Sequence, residues 1–554
     1  MSSNASLVAK ALTKSFGPQL VLDAVTFTVA PGARIGIVAP NGTGKTTLLR
    51  LLAGLERPDS GAVERQPARA TVGLLAQEPE RRARETLAGF LSRRTGVRAS
   101  EIELDLASIA LAEAELDSED RYSDALDAYL SLGGPDLEAR IGEVLADVGL
   151  DPLLLSVEMT ALSGGQAAKA ALAALLLSRF DVFLLDEPTN DLDFAGIERL
   201  ERFVTNLSAG CIVVSHDRAF LDKVVTSIIE LDDNAHTAVE FRGGWAAYLK
   251  ERATQRRHAE EQFDTYQARK DDLRKRSQRE SEWAHKGVSK NAKSDESDKF
   301  IKQFNRASSE KVAAKAKRTD KMLQRLEVVE KPWEGWELRL EFNEAPRGGA
   351  VVARLVRAVV QRGDFKLGPI EIEIGHGERV CLVGPNGSGK TTLIAAMLGD
   401  IALDSGTRHV GPGIVFGTLD QRRSSFTGNG TLFELFASIT GLDMSEARSL
   451  LAKFGLGASH ISRSADTLSP GERTRAELAR FVATGANCIV LDEPTNHLDL
   501  AAIEQLELAL ASFSGTVILV THDRKMLDGL ALTRRIEIAD GKLMRDLAVS
   551  SGLL

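Results

Sequence analysis

Two glycine-rich segments have the composition of a phosphate-binding loop. Residues 39–47 are APNGTGKTT, and residues 384–392 are GPNGSGKTT. Each segment follows a short apolar run and precedes a leucine-rich helical pattern, which is the strand, loop and helix order that such a loop requires. The glycines let backbone N–H groups surround phosphate oxygens, and the helix adds the positive end of its dipole. Two copies in the same context predict two nucleotide sites.

The side chains of these loops supply further contacts to a nucleotide. Lys45 and Lys390 can reach the outer phosphates, and the hydroxyls of Thr46 and Thr391 can bind magnesium. Ala39 stands where the second copy has its first glycine, and its methyl group matters only if that residue needs a positive φ. The loop residues expected to hold the nucleotide are Asn41, Gly42, Gly44, Lys45, Thr46, Thr47, Asn386, Gly387, Gly389, Lys390, Thr391 and Thr392.

A pair of adjacent carboxylates ends a buried apolar run in each half of the chain. Asp186 and Glu187 follow VFLL, and Asp492 and Glu493 follow CIVL. Neighbouring strand residues face opposite ways, but the chain turns where a strand ends, so both carboxylates can reach one site. The aspartates are the candidates for holding magnesium. The glutamates are the candidates for positioning or deprotonating an attacking water.

A histidine followed by aspartate ends a later apolar run in each half. A single histidine is more often structural, but the repeated context favours a role for His216 and His522 as donors to the outer phosphate. Gln77 and Gln421, which follow another strand pattern, can bridge metal and water. The complete set predicted to contact magnesium is Thr46, Gln77, Asp186, Thr391, Gln421 and Asp492.

These segments occur twice in the same order, together with LSGGQ at 162–166 and LSPGE at 468–472. The ordered set resembles the cassette of ABC-type ATPases. Two cassettes separated by a charged linker, without a membrane segment, resemble the ABC-F family of translation-associated ATPases. The resemblance implies an α/β fold with two P-loop cassettes, and ATP with Mg²⁺ as ligands. The domains predicted are cassette one (1–244), a basic helical-hairpin linker (245–332) and cassette two (333–554).

The resemblance also implies that the cassettes pair head to tail within one monomer. Each LSGGQ-type segment would then cover the nucleotide of the other cassette, using a serine hydroxyl and glycine amides at a helix start. Phe16 is the aromatic expected to stack on adenine; in cassette two the same register falls on Gln361. The covering residues are Ser163, Gly164 and Gly165 for the site of Lys390, and Ser469 and Gly471 for the site of Lys45.

The spacing of the repeats locates an insertion in cassette one. The loop lysines lie 345 residues apart, whereas the signature serines, the glutamates and the histidines each lie 306 apart. The difference of 39 residues falls at about 95–135, where the pattern predicts two helices. Ser100 and Glu103 suggest a capping box, and Ile102, Leu106 and Ile109 share a helical face. The insertion is acidic and is either a structural hairpin or an arm that touches the ribosome.

Composition fits a soluble globular protein with 43% hydrophobic and 27% charged residues. No apolar run approaches the roughly 18 residues of a membrane span, and the N-terminus lacks the features of a signal peptide. Cys211, Cys381 and Cys488 lie in strand-like runs and are expected to be buried free thiols. These features predict a cytoplasmic protein without a membrane partner.

The linker opposes the charge of the whole chain. Residues 265–325 hold 18 Lys or Arg and 9 Asp or Glu, in a protein of net charge −9. We expect one helix over 246–283, a return helix over 301–328, and between them a tip that Gly287 interrupts. A solvated charged hairpin is one interpretation, and contact with RNA is the other. The RNA-binding candidates are Lys286, Lys290, Lys293, Lys299 and Lys302.

The function predicted is that of an ATPase whose ATP-bound closed state binds the ribosome. The linker tip would approach ribosomal RNA and tRNA, and hydrolysis would release the protein. The sequence leaves open whether this serves translation regulation or antibiotic resistance by ribosome protection. An ATP-binding subunit that energises a drug efflux transporter is an alternative, and a DNA-associated ATPase is another.

Overall fold

The computed structural model describes residues 5–75, 81–233, 235–293, 318, 321–322, 349–363, 365–420, 424–428, 430–496 and 498–549. The chain divides into two compact units. One unit contains both cassettes (Met1–Ala246 and Glu337–Leu554), and the other contains the linker (Ala247–Trp336). The domain limits at 244/245 and 332/333 remain a prediction.

Cassette one contains two sheets. An antiparallel sheet has the order β2-β1-β4, and a six-stranded sheet has the order β5-β6-β7-β3-β8-β9, in which only β9 runs antiparallel to its neighbour. The strands are β1 (Ser6–Phe16), β2 (Gln19–Val29), β3 (Arg34–Val38), β4 (Ser60–Gln66), β5 (Val72–Leu75), β6 (Val182–Asp186), β7 (Gly210–Val214), β8 (Ser227–Leu231) and β9 (Ala238–Arg242).

The helices of cassette one connect these strands and carry the insertion. They are α1 (Lys45–Ala53), α2 (Leu87–Arg94), α3 (Val97–Ala112), α4 (Ser118–Ser131), α5 (Leu137–Val148), α6 (Gly164–Leu177), α7 (Phe194–Asn206) and α8 (Arg218–Val224), with 3₁₀ turns at Gly134–Asp136 and Pro152–Ser156. The parallel strands β3, β6 and β7 end at one edge of the sheet, where α1, α7 and α8 follow them. This edge collects the predicted chemical groups.

The linker begins with one long helix, α9 (Trp245–Lys293), of 49 residues and about 73 Å at 1.5 Å per residue. The predicted end at residue 283 is therefore wrong, and Gly287 does not interrupt the helix. A helical glycine costs only about 1 kcal/mol relative to alanine, which good helix-forming neighbours offset. The return helix falls outside the described residues except at 318, 321 and 322, which are helical.

Cassette two repeats the topology of cassette one, with sheet orders β11-β10-β13 and β14-β15-β16-β12-β17-β18. Its strands are β10 (Val351–Arg362), β11 (Phe365–Gly375), β12 (Arg379–Val383), β13 (Ser405–Val410), β14 (Phe416–Leu419), β15 (Cys488–Asp492), β16 (Thr516–Val520), β17 (Arg534–Ala539) and β18 (Lys542–Ala548). Its helices are α10 (Lys390–Leu398), α11 (Leu432–Thr440), α12 (Met444–Lys453), α13 (Ala458–Ile461), α14 (Pro470–Ala483), α15 (Leu500–Ser512) and α16 (Arg524–Gly529), with 3₁₀ turns at Ser424–Phe426 and Ala465–Thr467.

The central strands of both large sheets are fully buried, because helices cover both faces of a parallel sheet. Every residue of β6, β7, β15 and β16 is buried. Cys211, Cys381 and Cys488 are buried free thiols, as predicted. Burial raises the pKa of each thiol to about 12, so these cysteines serve as small apolar core residues.

The insertion in cassette one is a pair of helices, as predicted, but the suggested capping box is absent. Helix α3 begins at Val97 after Gly96, and the Ser100 hydroxyl donates to the Val97 carbonyl at 2.9 Å instead of capping the helix. Apart from Val97 at the start of α3, the buried positions of α3 and α4 are alanines and serines, including Ala107 and Ala125. The apolar face formed by Ile102, Leu106 and Ile109 is 46–55% exposed. Small residues let two helices approach closely, which leaves the large side chains outside.

Among the residues that the structure describes, no helix is both long and apolar enough to span a membrane.

Candidate active sites at the cassette interface

The phosphate loops connect a buried strand to a helix in each cassette. Gly44 and Gly389 adopt φ of 96° and 104° at the N-caps of α1 and α10, a region that disfavours residues with a Cβ. Lys45 Nζ donates to the carbonyls of Ala39 (2.8 Å) and Pro40 (3.1 Å). Lys390 Nζ donates to Gly384 (2.7 Å) and Pro385 (3.1 Å). Both lysines are thus held within their own loops.

The difference between Ala39 and Gly384 has a local cause. A Cβ at Gly384 would lie 2.1 Å from the Ile538 carbonyl oxygen. Ala39 does not have a positive φ, and its methyl group packs in the core of cassette one. The first loop therefore accepts alanine without strain, and its carbonyl still receives the lysine.

A threonine hydroxyl meets an aspartate in each site. Thr46 Oγ1 donates to Asp186 Oδ2 at 2.8 Å, and Thr391 Oγ1 donates to Asp492 Oδ2 at 2.7 Å. Burial raises the pKa of both aspartates. Hydroxyl and carboxylate oxygens are the ligands that magnesium prefers, and magnesium is often bound by such groups together with nucleotide phosphates. These pairs beside the phosphate loops are therefore suited to bind it.

The chain turns sharply at the glutamate that follows each aspartate. Glu187 and Glu493 have φ of 49° and 48°, a left-handed conformation that is uncommon for residues other than glycine. Their N–H groups donate to Val214 and Val520 on the adjacent strand, each at 2.8 Å. This turn places both carboxylates of each pair at the same edge of the sheet, and backbone strain of this kind is concentrated at functional sites.

Each glutamate lies beside its histidine. His216 Nε2 is 3.1 Å from Glu187 Oε1, and His522 Nε2 is 3.3 Å from Glu493 Oε1. Burial lowers the pKa of His216 to about 3 and that of His522 to about 4, and the nearby lysine acts in the same direction. Both imidazoles are therefore neutral. Within the described part of the chain, Nδ1 of His216 and both ring nitrogens of His522 are buried without a hydrogen-bond partner.

Burial also raises the pKa of Glu187 and Glu493 to about 8, although the ammonium groups of Lys45 and Lys390 oppose this shift. The desolvation of a carboxylate favours its neutral form. A pKa near neutrality suits a group that exchanges a proton with water.

The two cassettes contact each other at these sites. Asp499 Oδ2 in cassette two accepts a hydrogen bond from the Asn41 backbone N–H in cassette one at 3.2 Å. Asp193 Oδ2 in cassette one accepts from the Asn386 backbone N–H in cassette two at 3.4 Å. The Asn386 side-chain amide also donates to the Asp191 carbonyl at 2.6 Å. Each phosphate loop is thus bonded to the opposite cassette.

The cavities at the two loops contain residues of both cassettes. One is lined by Pro470 of cassette two and, from cassette one, by Phe16, Asn41, Gly42, Gly44, Lys45, Thr46, Thr47, Asp186, Glu187 and His216. The other is lined by Gly164 and Gly165 of cassette one and, from cassette two, by Asn386, Gly387, Gly389, Lys390, Thr391, Thr392, Asp492, Glu493 and His522. The structure therefore brings most of the predicted nucleotide-binding residues together.

The signature serines cap their own helices. Ser163 forms a reciprocal capping box with Gln166, and Ser469 forms one with Glu472. Glu472 therefore replaces glutamine without loss of the cap, and Pro470 occupies the first helical position, where a missing N–H costs nothing. Ser163, Ser469 and Gly471, all within the described residues, do not line either cavity. Their contact with nucleotide remains a prediction.

The position in cassette two that corresponds to Phe16 lies one residue after the predicted Gln361. The backbone N–H of Ser15 donates to Asp59, and that of Gln361 donates to the equivalent Asp404. Gln361 therefore corresponds to Ser15, and the next residue, Arg362, corresponds to Phe16. Phe365 lines the cavity of Lys390 instead. Phe16 is half exposed, with Lys14 Nζ 5.4 Å from its ring centre.

Several predicted residues cannot be placed. Gln77, Gln421, Lys299 and Lys302 lie outside the described residues, and Lys286, Lys290 and Lys293 are described only as part of the backbone of α9. Sequence reasoning also missed Asp193 and Asp499. Both cap a helix, with Oδ1 accepting from Gly196 N and Ala502 N. Both also end the repeated segments DEPTNDLD and DEPTNHLD, which was the signal that could have identified them.

The sheet order and the pair of phosphate loops completed from the opposite cassette define an ABC-type ATPase, a class that hydrolyses ATP. The ABC transporter family matches residues 22–190 and 367–496. The solved structure of RNase-L Inhibitor has the same fold, with a TM-score of 0.54 and 20% identity over 97% of this chain and 90% of that one.

Similar proteins narrow the class. The tylosin resistance ATP-binding protein TlrC of Streptomyces fradiae is 34% identical over 95% of this chain and 96% of its own. The energy-dependent translational throttle protein EttA of Mycobacterium tuberculosis is 32% identical over 94% of this chain and 89% of its own. The ABC transporter F family member 5 of Arabidopsis thaliana is 28% identical over 96% of this chain. The chain belongs to the ABC-F family.

Proposed function

We propose that ATP bound at both interface sites closes the cassettes on each other, and that the closed form binds the ribosome until hydrolysis releases it. The observation that carries this proposal is the pair of hydrogen bonds from Asn41 and Asn386 to Asp499 and Asp193. Because these bonds join each phosphate loop to the opposite cassette, a nucleotide in either loop stabilises the closed arrangement over the open one. This differential affinity is what a ligand-driven switch requires.

The residues of each site have different roles in ATP hydrolysis. Lys45 and Lys390 exchange their loop carbonyls for phosphate oxygens. The Thr46–Asp186 and Thr391–Asp492 pairs would hold magnesium, which neutralises phosphate charge when bound. Glu187 and Glu493 orient the attacking water and accept its proton. Gln77 and Gln421 would add contacts to the metal and the water.

The histidines act as neutral donors. His216 and His522 have depressed pKa values because they are buried, and their unpartnered ring nitrogens can bond the outer phosphate of ATP. A neutral imidazole carries one N–H donor and one acceptor. It can therefore hold a phosphate oxygen on one side while the neighbouring glutamate receives the water proton.

The proposal that the ribosome is the partner is supported by similar proteins. EttA is named a translational throttle and TlrC a tylosin resistance protein, and both align with almost all of this chain. These names support translation regulation or antibiotic resistance by ribosome protection. The basic excess of residues 265–325 supports RNA contact by the linker, with its tip near tRNA and the lysines at 286, 290, 293, 299 and 302 binding phosphates.

The test uses a variant that binds ATP without hydrolysing it. Glu187→Gln combined with Glu493→Gln should sediment with ribosomes through sucrose when ATP is present. The matched control is Lys45→Ala with Lys390→Ala, which removes the phosphate contacts and should stay at the top of the gradient with ATP.

Other outcomes distinguish the alternatives. If the glutamine variant binds ATP but stays at the top of the gradient, the ribosome proposal is wrong. Co-sedimentation that DNase removes and RNase does not would indicate a DNA-associated ATPase. Recovery with membranes would indicate a transporter subunit.

A further inference from the structure

Within the described part of the chain, Phe194 of cassette one makes a ring contact with cassette two, and the equivalent position of cassette two is a leucine. Phe194 is the first residue of α7 in cassette one, directly after Asp193. Its ring meets the His522 ring of cassette two edge to face, with 5.0 Å between ring centres and 77° between planes. Edge-to-face pairs at this distance have a favourable geometry.

Phe194 also packs against the apolar core of cassette two, a cluster that includes Leu498, Ile503 and Met526. The side chain is thus anchored in the opposite cassette. His522 is 9% exposed, and neither of its ring nitrogens has a hydrogen-bond partner in the described part of the chain. The orientation of this imidazole therefore depends on the Phe194 ring and on the approach of Nε2 to Glu493 Oε1 at 3.3 Å.

The equivalent position in the other site has no aromatic ring. Asp193 and Asp499 cap α7 and α15 in the same way, so Phe194 and Leu500 occupy the same place, 306 residues apart. A leucine cannot form an edge-to-face pair with His216. The two sites differ at a position that touches the histidine expected to bond the outer phosphate.

We propose that Phe194 is a positioning residue for His522 and makes the Lys390–Glu493 site the one with the better oriented histidine. This inference rests on the proposed roles of Glu493 and His522. When the cassettes close, the ring of Phe194 fixes the plane of the imidazole against the phosphate. In the Lys45–Glu187 site, His216 orients without this contact.

Two single glutamine variants allow hydrolysis at each site to be measured separately. Glu187→Gln leaves hydrolysis to the Lys390–Glu493 site, and Glu493→Gln leaves it to the Lys45–Glu187 site. Phe194→Leu should lower kcat in the first background by about two- to tenfold, the rate equivalent of one aromatic pair, with KM for ATP unchanged. It should leave kcat unchanged in the second background. Phe194→Tyr keeps an aromatic ring at this position, so in the Glu187→Gln background it should keep the kcat that Phe194 gives.

A matched control removes another aromatic from the same helix. Phe203 contacts Phe183 within cassette one, at 5.6 Å between ring centres, and Phe203→Leu should leave the ratio of the two backgrounds unchanged. Equal losses in both backgrounds for Phe194→Leu, or a change confined to KM, would show a purely structural role and overturn the inference. Hydrolysis retained by the double glutamine variant would instead contradict the proposed catalytic glutamates.

Discussion

The carboxylate of Asp499 serves two elements at once, since Oδ1 caps α15 through Ala502 N and Oδ2 accepts from the Asn41 N–H of the opposite phosphate loop. Asp193 makes the mirror-image pair of bonds with Gly196 and Asn386. One side chain thus ties the start of a helix in one cassette to the nucleotide site of the other. The proposed closure by ATP predicts that loss of this bond weakens the response to nucleotide.

Replacing one acceptor oxygen tests this link with little structural damage. Asp499→Asn keeps the Oδ1 cap, because asparagine is also a good N-cap, but turns an N–H donor toward the Asn41 N–H. We expect the ATP concentration for half-maximal hydrolysis to rise about tenfold, since hydrogen bonds to charged groups contribute roughly 1.5–3 kcal/mol. Steady-state kinetics would measure the shift.

The control for this prediction is thermal unfolding of the nucleotide-free protein, which should change little because the cap survives. Asp193→Asn should act in the same direction through the other loop. An unchanged ATP dependence in both variants would mean that these bonds do not contribute to closure.

Reciprocal ion pairs join the segments after the histidines to the opposite cassette. Arg524 lies 2.9 Å from Glu201, whose side chain is 1% exposed and also meets Lys223 at 2.6 Å. Arg218 pairs with Glu507 in the same way. Since α7 and α15 follow Asp193 and Asp499, these pairs connect each histidine segment to the helix that covers the other site.

A double-mutant cycle measures this connection. Glu201→Gln and Arg524→Gln should each weaken ATP-driven closure, and their effects should be non-additive by about 0.5–3 kcal/mol, as is usual for contacting residues. Closure can be followed by fluorescence transfer between labels on the two cassettes. Strict additivity would show that the pair is not coupled to closure.

The buried glutamates predict a pH dependence of stability. Glu187 and Glu493 have pKa values of about 8 in the folded protein, whereas an ordinary glutamate has a pKa of 4.5. Between about pH 4.5 and pH 8 the folded protein binds more protons than the unfolded chain does. Its free energy of unfolding therefore falls as the pH rises through this range. The double variant Glu187→Gln with Glu493→Gln lacks both titrating groups. The difference between its Tm and that of the wild type, both free of nucleotide, should therefore increase from about pH 5 to about pH 8. A constant Tm difference would contradict these pKa shifts.

The linker lysines predict a salt dependence. Changing Lys286, Lys290 and Lys293 to Gln should weaken ribosome binding and reduce the slope of log affinity against log salt by about two to three, since each phosphate contact contributes roughly 0.7–0.9. Filter binding at several salt concentrations gives the slope. The matched control changes Lys250, Arg256 and Arg257 of the same helix, which precede the basic segment 265–325, to Gln, and it should leave the slope nearly unchanged. Equal slopes for both triple variants would indicate a solvated linker.

Local sequence was sufficient to find the groups within each cassette. The phosphate loops, the Asp–Glu pairs and the histidines all follow buried strands, and parallel strands end at one edge of a sheet. The left-handed turn at Glu187 and Glu493 explains how adjacent carboxylates reach one site. The inserted helices followed from the change of spacing between the repeats.

The resemblance implied that each signature segment covers the opposite site, but the individual bonds between the cassettes had no local signal. Asn41 and Asp499 are 458 residues apart, and nothing in their neighbourhoods indicates the pairing. Phe194 differs from Leu500 by one side chain in otherwise matching segments, so its contact with His522 required the structure. The shared face of Ile102, Leu106 and Ile109 on α3 is exposed, because helical periodicity identifies an apolar face without showing whether residues elsewhere make the contact.

The most direct test asks which cassette completes each ATP site. A Cβ at Gly165 of cassette one would lie 3.1 Å from Asn386 Cβ in cassette two, and Gly165→Asp would also place negative charge beside the phosphates. We predict that Gly165→Asp lowers ATP hydrolysis by about tenfold or more in the Glu187→Gln background, because like charges in a poorly solvated site repel strongly, and spares the Glu493→Gln background. A loss confined to the Glu493→Gln background would show that the segment serves its own cassette and would contradict the shared sites.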